Sequence, residues 1–131
     1  MAVMIICLLI VLIMPLIAKI PLAFEMHKLG GYDNRHPRQQ HEQLTGFGAR
    51  ALAAHKNSYE AIAYFAPAVV TVLAVGAVDE TAKWLAIAFV LCRFVYIAMY
   101  WVDADKIRSI FWVISLGCAL TLLVRLLLAF G

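Results

Sequence analysis

Two groups of polar side chains stand out in a chain that is otherwise largely apolar. The first lies in RALAAHKNSYEAIAYF, residues 50–65, and comprises Arg50, His55, Lys56, Asn57 and Glu60. The second runs from Arg93 through Tyr96 and Tyr100 to Arg108. On a helix turning about 100° per residue, Arg50 and Asn57 nearly eclipse. Ala53, Glu60 and Tyr64 fall on their side, while His55 and Tyr59 point roughly the other way. Arg93, Tyr96 and Tyr100, at i, i+3 and i+7, share one face of a second helix. An isolated charge in hydrocarbon costs at least ~2.5–3.5 kcal/mol on insertion scales, so these groups should face protein and pair. Glu60 and the carboxylate of a neighbouring chain are the two candidate partners of Arg93. An Asn–Glu–Arg network of this kind either pins helices together as polar glue or marks a functional site.

Composition says what surrounds these groups. Of 131 residues, 65% are hydrophobic and 15% charged. A soluble domain is about 45–50% apolar and about 25% charged, and a soluble fold of this size could not hide so much apolar surface. The length allows one domain with four spans of roughly 20 residues. The net charge is +3, and the basic residues sit mainly in two loops and their flanks between apolar runs, a topology signal in place of the basic patch that a nucleic-acid partner would require.

Other chemistries find little support. His36 and His41, in HPRQQH, sit five apart in a proline-containing loop, which is not a metal-ligand spacing. GFGAR is no phosphate loop, and no Ser-His-Asp or Cys-His arrangement is visible. Cys7, Cys92 and Cys118 stand singly in apolar runs and read as small packing residues. No metal is expected.

The elements follow from the apolar runs. We expect an all-α transmembrane four-helix bundle forming one domain over 1–131, with spans at about 2–24, 46–78, 84–102 and 109–130. Residues 25–45 form the one long loop, rich in turn residues, and Thr45 is a candidate cap for the second long helix. Pro15 and Pro21 are candidate kinks in the first. Lys28, Arg35, Arg38, Arg50 and Lys56 mark the first loop and its flanks, and Lys106 and Arg108 the third. The second loop offers only Lys83 and the N-terminal tail no basic side chain. Loops one and three are therefore expected in the cytoplasm and both termini outside.

AHKNSYEAIAYF resembles the Ala-His-x-Asn-x-x-Glu-x-x-x-x-Phe element of the MAPEG family, membrane-associated proteins in eicosanoid and glutathione metabolism. YDNRHPR and RFVYIAMYWVDADKIRS are similar to its bacterial branch. The resemblance covers nearly the whole chain. It implies a four-helix bundle assembling as a homotrimer in a bacterial inner membrane, with glutathione held between neighbouring subunits near the cytoplasmic side. It assigns Asn57 and Glu60 to the peptide and adds His55, Arg50, Arg93, Tyr96 and Tyr100 to the binding set. His55 would then act through the adjacent subunit. Arg108 is the nearest match to the arginine proposed to stabilise the glutathione thiolate. Ala53 stands where several glutathione-binding relatives carry arginine.

Physical chemistry agrees with such a ligand. Arginines suit its two carboxylates through bidentate hydrogen bonds, and Glu60 suits its ammonium. The thiolate is the nucleophile, and a nearby arginine in a low-dielectric site favours it. The expected function is that of a microsomal-type glutathione S-transferase or peroxidase acting on lipophilic electrophiles or lipid peroxides. A non-catalytic lipid-binding or scaffold protein of the same fold is the alternative, which Ala53 favours. A proton-coupled transporter fits less well, because Glu60 lies near the interface and not at mid-span.

Overall fold

The computed structural model describes residues 1–130, and its regular elements are all helices. Four are long: α1 (Ala2–Lys28), α3 (Gly46–Ala74), α4 (Glu80–Trp101) and α5 (Asp105–Phe130). The fifth, α2 (Pro37–Glu42), lies in the loop between α1 and α3. The fold is all-α, as expected, with α1 packed on α3, α4 on α5, and α3 touching all three other long helices.

Helix α1 buries one stripe at three- and four-residue spacing: Met4, Cys7, Val11, Met14, Ala18, Leu22 and Met26. Its opposite face exposes Ile5, Leu9, Leu12, Leu16 and Ile20. A helix apolar all round belongs in a large core or a membrane. Helix α1 is continuous through both Pro15 and Pro21. Helix α3 turns a run of small residues inward, Gly48, Ala51, Ala54, Ser58 and Ala61, before Phe65. Small side chains let helix backbones approach closely when hydrocarbon, not water, is the solvent. Phe65 stacks on Phe89 of α4 with ring centroids 3.9 Å apart, and Tyr64 meets the same ring edge-on at 5.9 Å.

Gly48 is a point of close approach. A Cβ there would sit 2.9 Å from Leu44 Cδ2 and 3.3 Å from Glu25 Cβ. Gly48→Val is therefore expected to destabilise the protein by about 1–3 kcal/mol through overpacking, measured as a lowered unfolding midpoint in detergent. An unchanged midpoint would show that the α1 end and Leu44 move aside freely.

Helix ends carry the turns. Helix α3 stops at Ala74, earlier than the 78 expected for the second span, because a glycine-terminated motif ends it. Gly76 adopts φ +68, Ala77 N–H reaches back to Val72 O at 3.1 Å, and Gly76 N–H to Leu73 O at 3.2 Å. These two bonds satisfy carbonyls that the helix leaves without partners. Helix α4 starts at Glu80, ahead of the span expected from 84, because Asp79 caps it by accepting from Ala82 N–H at 2.7 Å. Thr45 occupies the corresponding position of α3 but makes no side-chain capping bond. The loop after α1 is more ordered than its turn residues suggest. Helix α1 continues to Lys28, and the buried side chain of Gln40 donates to Gly31 O at 2.6 Å and Met26 O at 3.0 Å.

Asp79 also receives both terminal nitrogens of Arg125, tying α5 to the start of α4. The Arg125 guanidinium, followed by the Ala82 N–H, pulls the Asp79 carboxyl from an ordinary 3.8 to about 2. A depressed carboxyl contributes stability that is complete above its unfolded value and lost as pH falls through the folded one. The unfolding midpoint of the wild type should accordingly fall between about pH 4 and pH 2, and Asp79→Asn should flatten that limb. An identical acid limb in the variant would contradict the assignment.

Three of the long helices, Ala2–Lys28, Glu80–Trp101 and Asp105–Phe130, are long and apolar enough to cross a membrane by length and composition. Helix α3 is as long but carries Arg50, Lys56 and Glu60 in its first half. Its partners at that level are what the polar residues serve.

Candidate functional site

Arg93 is the largest fully buried side chain in the protein, with no surface open to solvent. It enters from α4 toward the middle of α3. Its Nη2 donates to Asn57 Oδ1 at 2.6 Å and to the Asn57 backbone carbonyl at 3.3 Å. Asn57 Nδ2 in turn donates to Glu60 Oε2 at 2.6 Å. The result is a relay, Arg93 to Asn57 to Glu60, running from the buried interior to an exposed carboxylate on α3. Among the described residues no carboxylate lies within 4 Å of Arg93, so the direct pairing with Glu60 expected from sequence is not made; the Asn57 amide stands between the two charges. Arg93 Nε and Nη1, and the Tyr64 hydroxyl, are buried without protein partners.

The second polar group is a ladder along α4. The Arg93 guanidinium lies 4.1 Å from the Tyr96 ring centroid. Tyr96 meets Tyr100 edge-to-face at 5.4 Å. Arg108, from the first turns of α5, lies 4.2 Å over Tyr100. Cation and ring attract through the ring quadrupole, and the attraction strengthens where water is excluded. Tyr96, Tyr100 and Arg108 line one wall of a groove of about 420 Å³, which Ser109, Trp112 and Val113 complete.

Arg50 is on the α3 face with Asn57, and its Nη1 lies 3.5 Å from Asp103 Oδ2. Asp103 had no place among the sequence-derived candidates. It takes a left-handed φ of 63 at the end of α4, where Ala104 N–H returns to Met99 O at 2.9 Å. Aspartate is one of the few residues other than glycine that tolerate this conformation. The sequence DADKIRS signalled a turn but not which residue would aim at Arg50.

His55 sits elsewhere. Its Nδ1 lies 2.9 Å from the Pro15 carbonyl of α1, and because a carbonyl only accepts, that nitrogen carries the proton. It opens on a separate basic groove of about 490 Å³, with Arg38, His41, Lys56 and Tyr59 among its walls. Burial first, then the cations of His55, Lys56, Lys19 and Arg38, hold His41 below the usual imidazole range. The chain thus brings Asn57, Glu60, Arg93, Tyr96, Tyr100 and Arg108 to one side, with Arg50 at its edge, and turns His55 to the other. No group of three or more metal-ligating side chains is assembled among the described residues.

Long apolar helices with an ionic relay sunk between two of them define an integral membrane protein of the helical-bundle class. The chain belongs to the MAPEG family, whose model matches residues 3–128. That membership places it in a glutathione-related family of membrane enzymes. No curated protein and no solved structure matches it.

Proposed function

We propose that this protein is a glutathione-dependent membrane transferase or peroxidase acting on lipophilic electrophiles or lipid hydroperoxides. The observation that carries this reading is the exposed carboxylate of Glu60. One of its oxygens is fixed by Asn57, which is itself fixed by a fully buried arginine. Helices could be pinned without presenting a carboxylate outward. A carboxylate held in place beside apolar surface suits the ammonium of an amphoteric peptide, because no rotamer freedom is lost when the ligand docks.

The other groups fit the remaining parts of glutathione. Arg50, with its Nε unpartnered, a loose contact to Asp103 and the Phe47 ring 6.0 Å away, suits a carboxylate. Arg108, lying across Tyr100 at the groove, suits the thiolate. In conjugation the thiolate sulfur would attack the electrophilic carbon, forming an S–C bond as the leaving group departs with its electron pair. The four long helices would span the membrane, α3 with its polar first turns standing at the cytoplasmic interface, and loops one and three would lie in the cytoplasm of a bacterial cell. In a homotrimer the groove beside His55 would face the next subunit's Asn57 side, which gives His55 a place in a shared site.

Arg108→Gln is expected to lower kcat/KM for a model electrophile by about tenfold or more, since a charged hydrogen bond contributes about 1.5–3 kcal/mol. Thiolate absorbance on adding glutathione should fall with it. Wild-type protein that binds no glutathione and turns over no electrophile would overturn the reading. That outcome would favour the second reading, a lipid-binding protein without catalysis. Ala53 supports the second reading, because it leaves the α3 face without an arginine one turn before Asn57.

A further inference from the structure

The groove of about 420 Å³ between the end of α4 and the start of α5 has two unlike walls. Tyr96, Tyr100 and Arg108 make the polar one. Trp112 and Val113 make the other, and the Ser109 hydroxyl beside them donates to the Asp105 carbonyl at 3.0 Å, which leaves it only an acceptor to offer. Trp112 is 37% exposed and Val113 60%. Ile110, exposed one turn before Val113, adds apolar surface on the Val113 side of α5. An apolar surface that leads directly to a cation and two phenols is an entry from hydrocarbon to a polar reaction centre.

We propose that Trp112 is the specificity-determining floor for the apolar co-substrate and selects electron-poor aromatic rings over extended alkyl chains. The proposal rests on the glutathione reading for its chemistry, and on the groove alone for its binding. The indole face is electron-rich, so an electron-poor ring stacks on it in the offset arrangement that aromatic pairs favour. A linear chain finds contact area there but no such complementarity. Stacking of this kind corresponds to about a three- to tenfold preference. Trp112 lies one helical turn from Arg108, so a ring resting on it is held beside the guanidinium that the thiolate would use.

The test compares wild type, Trp112→Phe and Trp112→Leu in detergent. The substrates are 1-chloro-2,4-dinitrobenzene and a linear alkyl hydroperoxide, with glutathione. Trp112→Leu should raise KM for the nitroaromatic about three- to tenfold more than KM for the hydroperoxide, with the change in KM and not in kcat. Trp112→Phe should restore most of the difference. In parallel, calorimetric titration with 1,3-dinitrobenzene, which has no leaving group, reads binding without turnover. Weaker binding in Trp112→Leu, recovered in Trp112→Phe, upholds the proposal even if wild type turns over neither substrate, an outcome that counts against the glutathione reading alone. Equal KM changes for both substrates, or dinitrobenzene binding indifferent to Trp112→Leu, would overturn it.

Discussion

Replacing Glu60 with glutamine is expected to weaken glutathione binding by about ten- to a hundredfold while leaving the bundle folded. The side chain keeps its shape and still offers an oxygen to Asn57 Nδ2, the donor now 2.6 Å from it. What disappears is the negative charge that would meet the ligand's ammonium. Hydrogen bonds to charged groups contribute about 1.5–3 kcal/mol, and each 1.4 kcal/mol is a factor of ten in affinity. Because Glu60 is exposed, the fold has little to lose. Titration calorimetry on the detergent-solubilised protein measures the effect, and unaltered affinity in Glu60→Gln would show that the carboxylate plays no part in binding.

The second large effect concerns Arg93 and separates two roles for the same network. Arg93→Leu removes a desolvated cation but leaves the part-buried Asn57 Oδ1 facing an apolar group. An unsatisfied buried acceptor costs about 1–3 kcal/mol. The single variant should therefore be destabilised by about that amount, read from denaturation midpoints in micelles, and should bind glutathione poorly because Asn57 no longer holds Glu60 in place. Adding Asn57→Leu removes the orphaned acceptor. Replacing both partners of a buried polar pair by apolar groups of similar shape is nearly neutral, so the double variant should regain stability without regaining binding. If binding returned together with stability, the relay would be glue and nothing more.

Much of this arrangement was legible in the sequence because helical periodicity maps faces reliably. Arg50, Asn57, Glu60 and Tyr64 fall on one side of α3 with His55 on the other by periodicity alone, and the structure turns Asn57 toward Arg93 of α4 and His55 toward Pro15 of α1. The Arg93–Tyr96–Tyr100 face followed from the same reasoning. Periodicity gives direction around an axis, not the height at which two helices meet or the rotamer that closes a gap. Periodicity therefore points Arg93 at Glu60, when the group level with it on α3 is the amide of Asn57.

Contacts set by tertiary approach were beyond such reasoning. Asp79 and Arg125 lie 46 residues apart and meet only because α3, α4 and α5 converge at one end. Asp103 reaches Arg50 through a left-handed turn whose residue identity gives only a weak signal. Trp112 had no place among the sequence-derived candidates; the fold sets it in the lining of one groove with Tyr96, Tyr100 and Arg108. The long loop is expected over residues 25–45, whereas α1 runs on to Lys28 and α2 occupies Pro37–Glu42. Its short helix and the anchoring role of Gln40 depend on carbonyls at 26 and 31 that no local pattern reveals.

The central claim is that the face shared by α3 and α4 holds glutathione. Calorimetric titration of glutathione into the purified protein, with Asn57→Ala alongside, tests it most directly. Asn57 joins the buried cation to the exposed carboxylate, so its loss uncouples both. The account predicts saturable binding to wild type, weakened at least about tenfold in Asn57→Ala. Folded wild-type protein that gives no binding heat and no thermal shift with glutathione, while retaining lipid through purification, would contradict it.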